Sequence, residues 1–85
     1  MTAAEALRLI QGYAAAGRLG FTAHAEQRMD TRNVTRGDVR RAIASATAAR
    51  STESDAWRLD GADLDGDLLS VVCALRDGAV VVTVL

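Results

Sequence analysis

An α+β domain, with two to three N-terminal helices packed on a three- to four-stranded antiparallel β-sheet, is what the sequence predicts. Three observations predict it. Through about Ala48, apolar side chains recur every three to four positions, the period of a helix. From about Ala49 the period drops to two, the period of a strand. Two glycine-bearing turns, at Leu64-Asp65-Gly66 and Asp77-Gly78, then divide the second half into segments that can fold back on one another.

The first helix opens on Thr2-Ala3-Ala4-Glu5, a capping box in which hydroxyl and carboxylate each satisfy a free backbone N–H. Ala3, Ala6, Leu7, Ile10 and Ala14 form its apolar stripe, and Gly17 and Gly20 are stop signals, so it spans about residues 3–16. A shorter second helix starts at Phe21-Thr22 with Thr22 as N-cap and buries Phe21, Ala25 and Met29. Asn33 ends it, because asparagine tolerates the left-handed conformation at a helix C-terminus. Thr35-Arg36-Gly37-Asp38 caps a third helix whose stripe is Val39, Ala42, Ile43 and Ala46. Arg36, Arg40 and Arg41 fall off that stripe toward solvent.

A two-residue Asp77-Gly78 hairpin opposes Leu75 to Val80, Cys73 to Val82 and Val71 to Val84, all on the core face. For the earlier turn, a three-residue loop with left-handed Gly66 opposes Trp57 to Cys73 and Leu59 to Val71, which buries the tryptophan. The opposite face then carries Arg58, Asp60, Ser70, Val72, Ala74, Val81 and Thr83, only half of it polar.

At 85 residues the chain is expected to be a single domain, residues 1–85, which excludes a large multi-domain enzyme and a two-halved nucleotide-binding domain. The apolar fraction of 49% and charged fraction of 25% are globular values, which excludes wholesale disorder. Cys73 is the only cysteine and His24 the only histidine, which rules out an internal disulfide and clustered Cys/His metal sites. No signal peptide is evident and the longest apolar run, Ala79–Val82, cannot span a membrane, so a cytoplasmic location is expected, with no membrane partner. Net charge is −1, but residues 1–50 carry +4 and residues 51–85 carry −5. The basic half suits an anionic partner, or the two halves pair with each other. All ten basic residues are arginine, which reflects either GC-rich codon usage or a need for forked, permanently charged guanidinium groups.

His24, Arg28 and Arg32, spaced by four, share one stripe of the second helix. Imidazole moves protons near neutral pH, and guanidinium groups grip phosphate and neutralise developing charge. Such a set is a minimum for cutting RNA without a metal, because the 2′-hydroxyl supplies the nucleophile. The same spacing also suits a structural role, with the histidine bonded to a backbone carbonyl, Glu26 or Asp30. Other candidates are weaker. Cys73 falls on a core face and reads as a small buried hydrophobe. Asp60, Asp63, Asp65 and Asp67 superficially resemble a calcium loop, but lack its glycine placement and late bidentate glutamate, so they read as turn formers. The seven glycines are scattered and form no phosphate loop, and no cofactor is implied.

The segment His24-Ala25-Glu26-Gln27-Arg28-Met29, followed by Arg32-Asn33-Val34-Thr35 and Asp38-Val39, resembles the domain-of-unknown-function 4258 family. Trp57-Arg58-Leu59-Asp60-Gly61 and Val80-Val81-Val82-Thr83-Val84 resemble its later strand motifs. The resemblance implies a fold similar to RelE-type ribonuclease toxins and a gene beside a small antitoxin. It places the family's motif positions on His24, Arg28 and Arg32. Relatives often carry a histidine before the third strand's valines; here Leu68-Leu69-Ser70-Val71 has none, and the family's tyrosine and proline positions are also unfilled.

Two functions follow as expectations. The first is a toxin-like, metal-independent endoribonuclease with His24 and Arg28 catalytic and Arg32, Arg36, Arg40 and Arg41 holding RNA phosphates, its partners being RNA and an antitoxin-like protein. The second is a non-catalytic module that docks a protein partner, or a second copy as a homodimer, on the half-apolar sheet face. In a third reading His24 and Arg28 pin the second helix to the sheet or to the acidic hairpin, which is compatible with either function.

Overall fold

The computed structural model describes all 85 residues, Met1–Leu85. Helix α1 (Ala3–Ala15) starts at the expected capping box, with Thr2 and Glu5 bonded reciprocally. Gly17 follows at φ 78°, a left-handed exit that only glycine takes without cost. Helix α2 (Ala23–Arg32) is capped by Thr22 and closed by left-handed Asn33, both as expected. Helix α3 (Arg36–Ser45) begins at a second capping box, Thr35 with Asp38.

The class is α+β, and the sheet has five strands: β1 (Leu19–Phe21), β2 (Ala49–Ser51), β3 (Trp57–Ala62), β4 (Leu68–Leu75) and β5 (Ala79–Val84), in the order β1-β5-β4-β3-β2. The sheet is mixed, because β1 runs parallel to β5 with Leu19 beside Ala79 and Phe21 beside Val81. Phe21 therefore belongs to a strand and not to the second helix. A three-residue strand has no periodicity of its own to read, and its partner lies at the far end of the chain.

The β3–β4 register is the expected one, with Trp57 opposite Cys73 and Leu59 opposite Val71. The β4–β5 hairpin differs. Its loop has three residues, Arg76, Asp77 and Gly78, with Asp77 and Gly78 both at positive φ. Leu75 opposes Ala79 and Cys73 opposes Val81, one residue off the expected register. Val82 is then an extra residue on β5, a bulge that restores Val84 opposite Val71. The bulge corrects the assignment of faces: Val81 is buried in the core, whereas Val80 and Val82 are only partly buried.

All three helices lie on one face. They share a 16-residue core with the sheet that includes Ile10, Met29, Val39, Ile43, Leu59, Val71, Val81 and Val84. Two close approaches fix the helices. A Cβ on Gly61 would lie 1.9 Å from the Ala42 carbonyl oxygen, so β3 and α3 meet backbone to backbone. There the Ser45 hydroxyl accepts the Ala62 N–H at 2.9 Å. Helices α1 and α3 satisfy each other's C-terminal carbonyls: Gln11 Nε2 donates to Ile43 O (3.0 Å) and Ala46 O (2.9 Å), and Arg40 Nη1 donates to Ala14 O (3.2 Å). No helix is long and apolar enough to cross a membrane.

Candidate functional site

Ala25 and Met29 are buried against the sheet and set the rotation of α2 about its axis. With 3.6 residues per turn, His24, Arg28 and Arg32 then fall on one flank, and Glu26 and Asp30 on the other. His24 and Arg32 are exposed, and their side chains stand outside the internal hydrogen-bond network. Arg28 is half-buried; its Nε and Nη2 both donate to Val84 O at 3.4 Å. Beyond Phe21 the chain leaves the sheet, so on that edge β5 runs on without a partner strand, while its other edge stays paired with β4. Thr22 Oγ1 donates to Val82 O at 3.0 Å, and Arg28 reaches Val84 O further along. Together they cover polar backbone that an unprotected edge would offer to another chain.

The other expected phosphate ligands are dispersed. Arg36 pairs with Glu26 on the opposite flank of α2, and its guanidinium lies 4.7 Å from the Phe21 ring centroid. Arg40 faces α1, capping Ala14 and bordering a cleft of about 260 Å³ with Gln11, Ala14, Ala15, Ile43 and Ala44. Arg41 sits on the outermost face of α3 and is exposed. Thus the structure groups His24, Arg28 and Arg32 and separates Arg36, Arg40 and Arg41 from them.

A second polar cluster occupies the helix-free face of the sheet. Asp60 Oδ1 accepts from the Ser70 hydroxyl and from Arg58 Nε (3.0 Å), and Oδ2 accepts from Arg50 Nη2 (2.8 Å). The Ser70 hydrogen bond, then the Arg58 guanidinium, hold the Asp60 carboxyl down at about 2. The β3–β4 pairing rule puts Arg58, Asp60 and Ser70 on this face; Arg50 is missed because the β2–β3 pairing is not read from the sequence. In the β2–β3 pairing Arg50 lies opposite Arg58, and Asp60 supplies the carboxylate that two facing guanidinium groups need between them. Beside this cluster lie the partly buried Val72, Val80 and Val82, with the buried Ala74 between them.

Two other groups take structural roles. Cys73 is fully buried, and burial pushes its thiol up to about 12, so it is no nucleophile at neutral pH. Asp63, Asp65 and Asp67 bring carboxylate oxygens within 4.8 Å of one another. Asp63 Oδ1, however, accepts the N–H groups of Asp65 and Asp67, each at 2.9 Å, which is the work of a turn former.

The family model described as Domain of unknown function (DUF4258) matches residues 21–85, from β1 to the end of the chain. No curated protein and no solved structure matches the chain.

Proposed function

The chain belongs to the domain-of-unknown-function 4258 family, and from that membership and the α2 geometry we propose that it is a toxin-like endoribonuclease that cleaves RNA without a metal and is paired with an antitoxin-like protein. The observation that carries the proposal is His24: the only histidine is exposed, unengaged, and one turn from a guanidinium fixed in place by Val84 O. In the proposed reaction His24 takes the proton of a 2′-hydroxyl, whose oxygen attacks the adjacent phosphorus. Arg28 and Arg32 neutralise the charge that grows on the phosphoryl oxygens. The P–O5′ bond breaks, and solvent supplies the proton to the leaving oxygen. This flank carries one acid/base group, so the proposal implies a slow enzyme. General-base catalysis is worth about 10²–10⁴-fold, and His24→Ala is expected to lose rate on that scale.

The test is expression in cells with and without the neighbouring gene, together with RNA incubated with purified protein. Growth arrest and cleavage by the wild type, and neither by His24→Ala with unchanged circular dichroism, support the proposal. Normal cleavage by His24→Ala sinks it.

One observation favours a second reading, a non-catalytic docking module. The helix-free face places Val72, Val80 and Val82 beside the Arg50–Asp60–Arg58–Ser70 cluster, a mixed surface of the kind that protein interfaces use. A dimer or a co-purifying protein partner that Val80→Glu abolishes supports it. A monomer at all concentrations with no captured partner removes it.

A further inference from the structure

The outer face of α2 holds more than the three residues of the motif. The turn that presents His24, Arg28 and Arg32 also presents Gln27 and Thr31, both exposed. All five side chains are hydrogen-bond donors, and no carboxylate shares the face. Glu26 points to the far flank and is neutralised by Arg36, whereas Asp30 borders the face, three residues on from Gln27. Gln27, Thr31 and Arg32, like His24, make no internal side-chain hydrogen bond. From His24 to Arg32 the face is about 12 Å long, a length that spans roughly three phosphates at the charge spacing of a nucleic-acid strand.

From this arrangement we infer that the α2 face is a track for the backbone of one RNA strand, with Gln27 and Thr31 as neutral ligands alongside the Arg28 and Arg32 phosphate contacts. The inference rests on the ribonuclease reading for its choice of RNA, and it adds binding residues along the helix. Gln27 and Thr31 suit this role chemically. Amide and hydroxyl groups bond phosphate and sugar oxygens without base preference, which is how a strand is positioned and not how a sequence is read.

The test uses the full chain and a labelled single-stranded RNA of mixed sequence, read by fluorescence anisotropy over a salt series. Wild type is expected to bind with a salt-sensitive affinity, and Arg32→Ala to reduce the logarithmic salt slope by about 0.7, the share of one phosphate contact on a single strand. Gln27→Glu places a carboxylate on the track and is expected to weaken binding roughly threefold or more, whereas Gln27→Lys and Thr31→Arg strengthen it. Glu53→Gln, in the connection between β2 and β3 at the opposite edge of the sheet, is expected to change binding by less than about twofold. The lysine and arginine variants gain affinity, so misfolding cannot mimic their effect. If Gln27→Glu and Thr31→Arg bind as wild type does, or if Glu53→Gln shifts affinity as much as they do, the track is overturned. Cleavage of the same RNA separates the two ideas. Binding that follows the α2 variants without any cleavage keeps the track and removes the ribonuclease. Cleavage that depends on His24 but ignores Gln27→Glu does the reverse.

Discussion

Gly61 and Asp38 explain two motif positions by packing alone. A side chain at Gly61 has nowhere to go, because the Ala42 carbonyl oxygen and carbon and the Ser45 hydroxyl all lie within 3 Å of where its Cβ would stand. Gly61→Ala must push α3 off β3, and is expected to cost about 1–3 kcal/mol, read as a lower urea midpoint at an unchanged slope. Asp38 makes two attachments: Oδ2 accepts Thr35 N–H in the capping box, and Oδ1 accepts Leu64 N–H at 3.1 Å across to the β3–β4 turn. These hydrogen bonds lower the pKa of its carboxyl. Neither residue needs a role in chemistry. Cys73 gives a simple check on the core. With its thiol at about 12, it is expected to resist a thiol reagent at pH 8 in the folded protein and to react fully once urea unfolds the chain.

At the scale of elements, the three helices are held by one another's ends as much as by apolar stripes. Gln11 on α1 satisfies two carbonyls at the end of α3, and Arg40 on α3 satisfies one at the end of α1. Gln11→Ala leaves two part-buried carbonyls without their donor and is expected to cost about 1–3 kcal/mol. Arg40→Ala should cost less, since its bond is exposed and water replaces it. Hydrogen exchange at the last turn of α3 is the sharper readout, since Gln11→Ala should raise it selectively. Helix α2 divides its two sides. Its inner side is committed to the core and to the β5 edge, through Ala25, Met29, Thr22 and Arg28, while its outer side offers donors to solvent. A helix fixed on one side and unengaged on the other is a rigid platform for a ligand.

Over the whole molecule, charge is partly reconciled between the two halves of the chain. Arg18–Asp77 and Arg50–Asp60 join the basic N-terminal half to the acidic C-terminal half. Arg28, Arg32, Arg40 and Arg41 remain outside any ion pair, so pairing within the fold does not consume the excess positive charge of α2 and α3. The carboxylates set the acid limit of stability. Asp60 is held at about 2, and Glu5 and Asp38 are also lowered by their cap hydrogen bonds. A group with a folded pKa below its unfolded value contributes stability above the unfolded value, and loses it as pH falls through the folded one. Stability should therefore be level above about pH 5 and decline between about pH 4 and 2. Asp60→Asn should flatten part of that decline, which thermal melts across the series would measure.

Much of this architecture is legible in 85 residues, and the division follows the range of the forces. Thr2, Thr22, Thr35 and Asn33 mark helix ends because capping is settled within three or four residues. The β3–β4 register follows from Gly66 and from the need to bury Leu59 and Trp57. The stripe of His24, Arg28 and Arg32 is a matter of helical period alone. What sequence reading cannot reach is how distant segments meet. The parallel docking of Leu19–Phe21 on β5, and the Val82 bulge that moves Val81 into the core, depend on which of several near-equal pairings best fills the space beneath the helices. The fate of the arginines is decided the same way. Identical side chains become a cap at Arg40, an ion pair at Arg36 and an edge clasp at Arg28, because each is defined by the element packed against it. Local hydrogen bonding and period are written in neighbouring residues, whereas packing is a property of surfaces that exist only once the chain has folded.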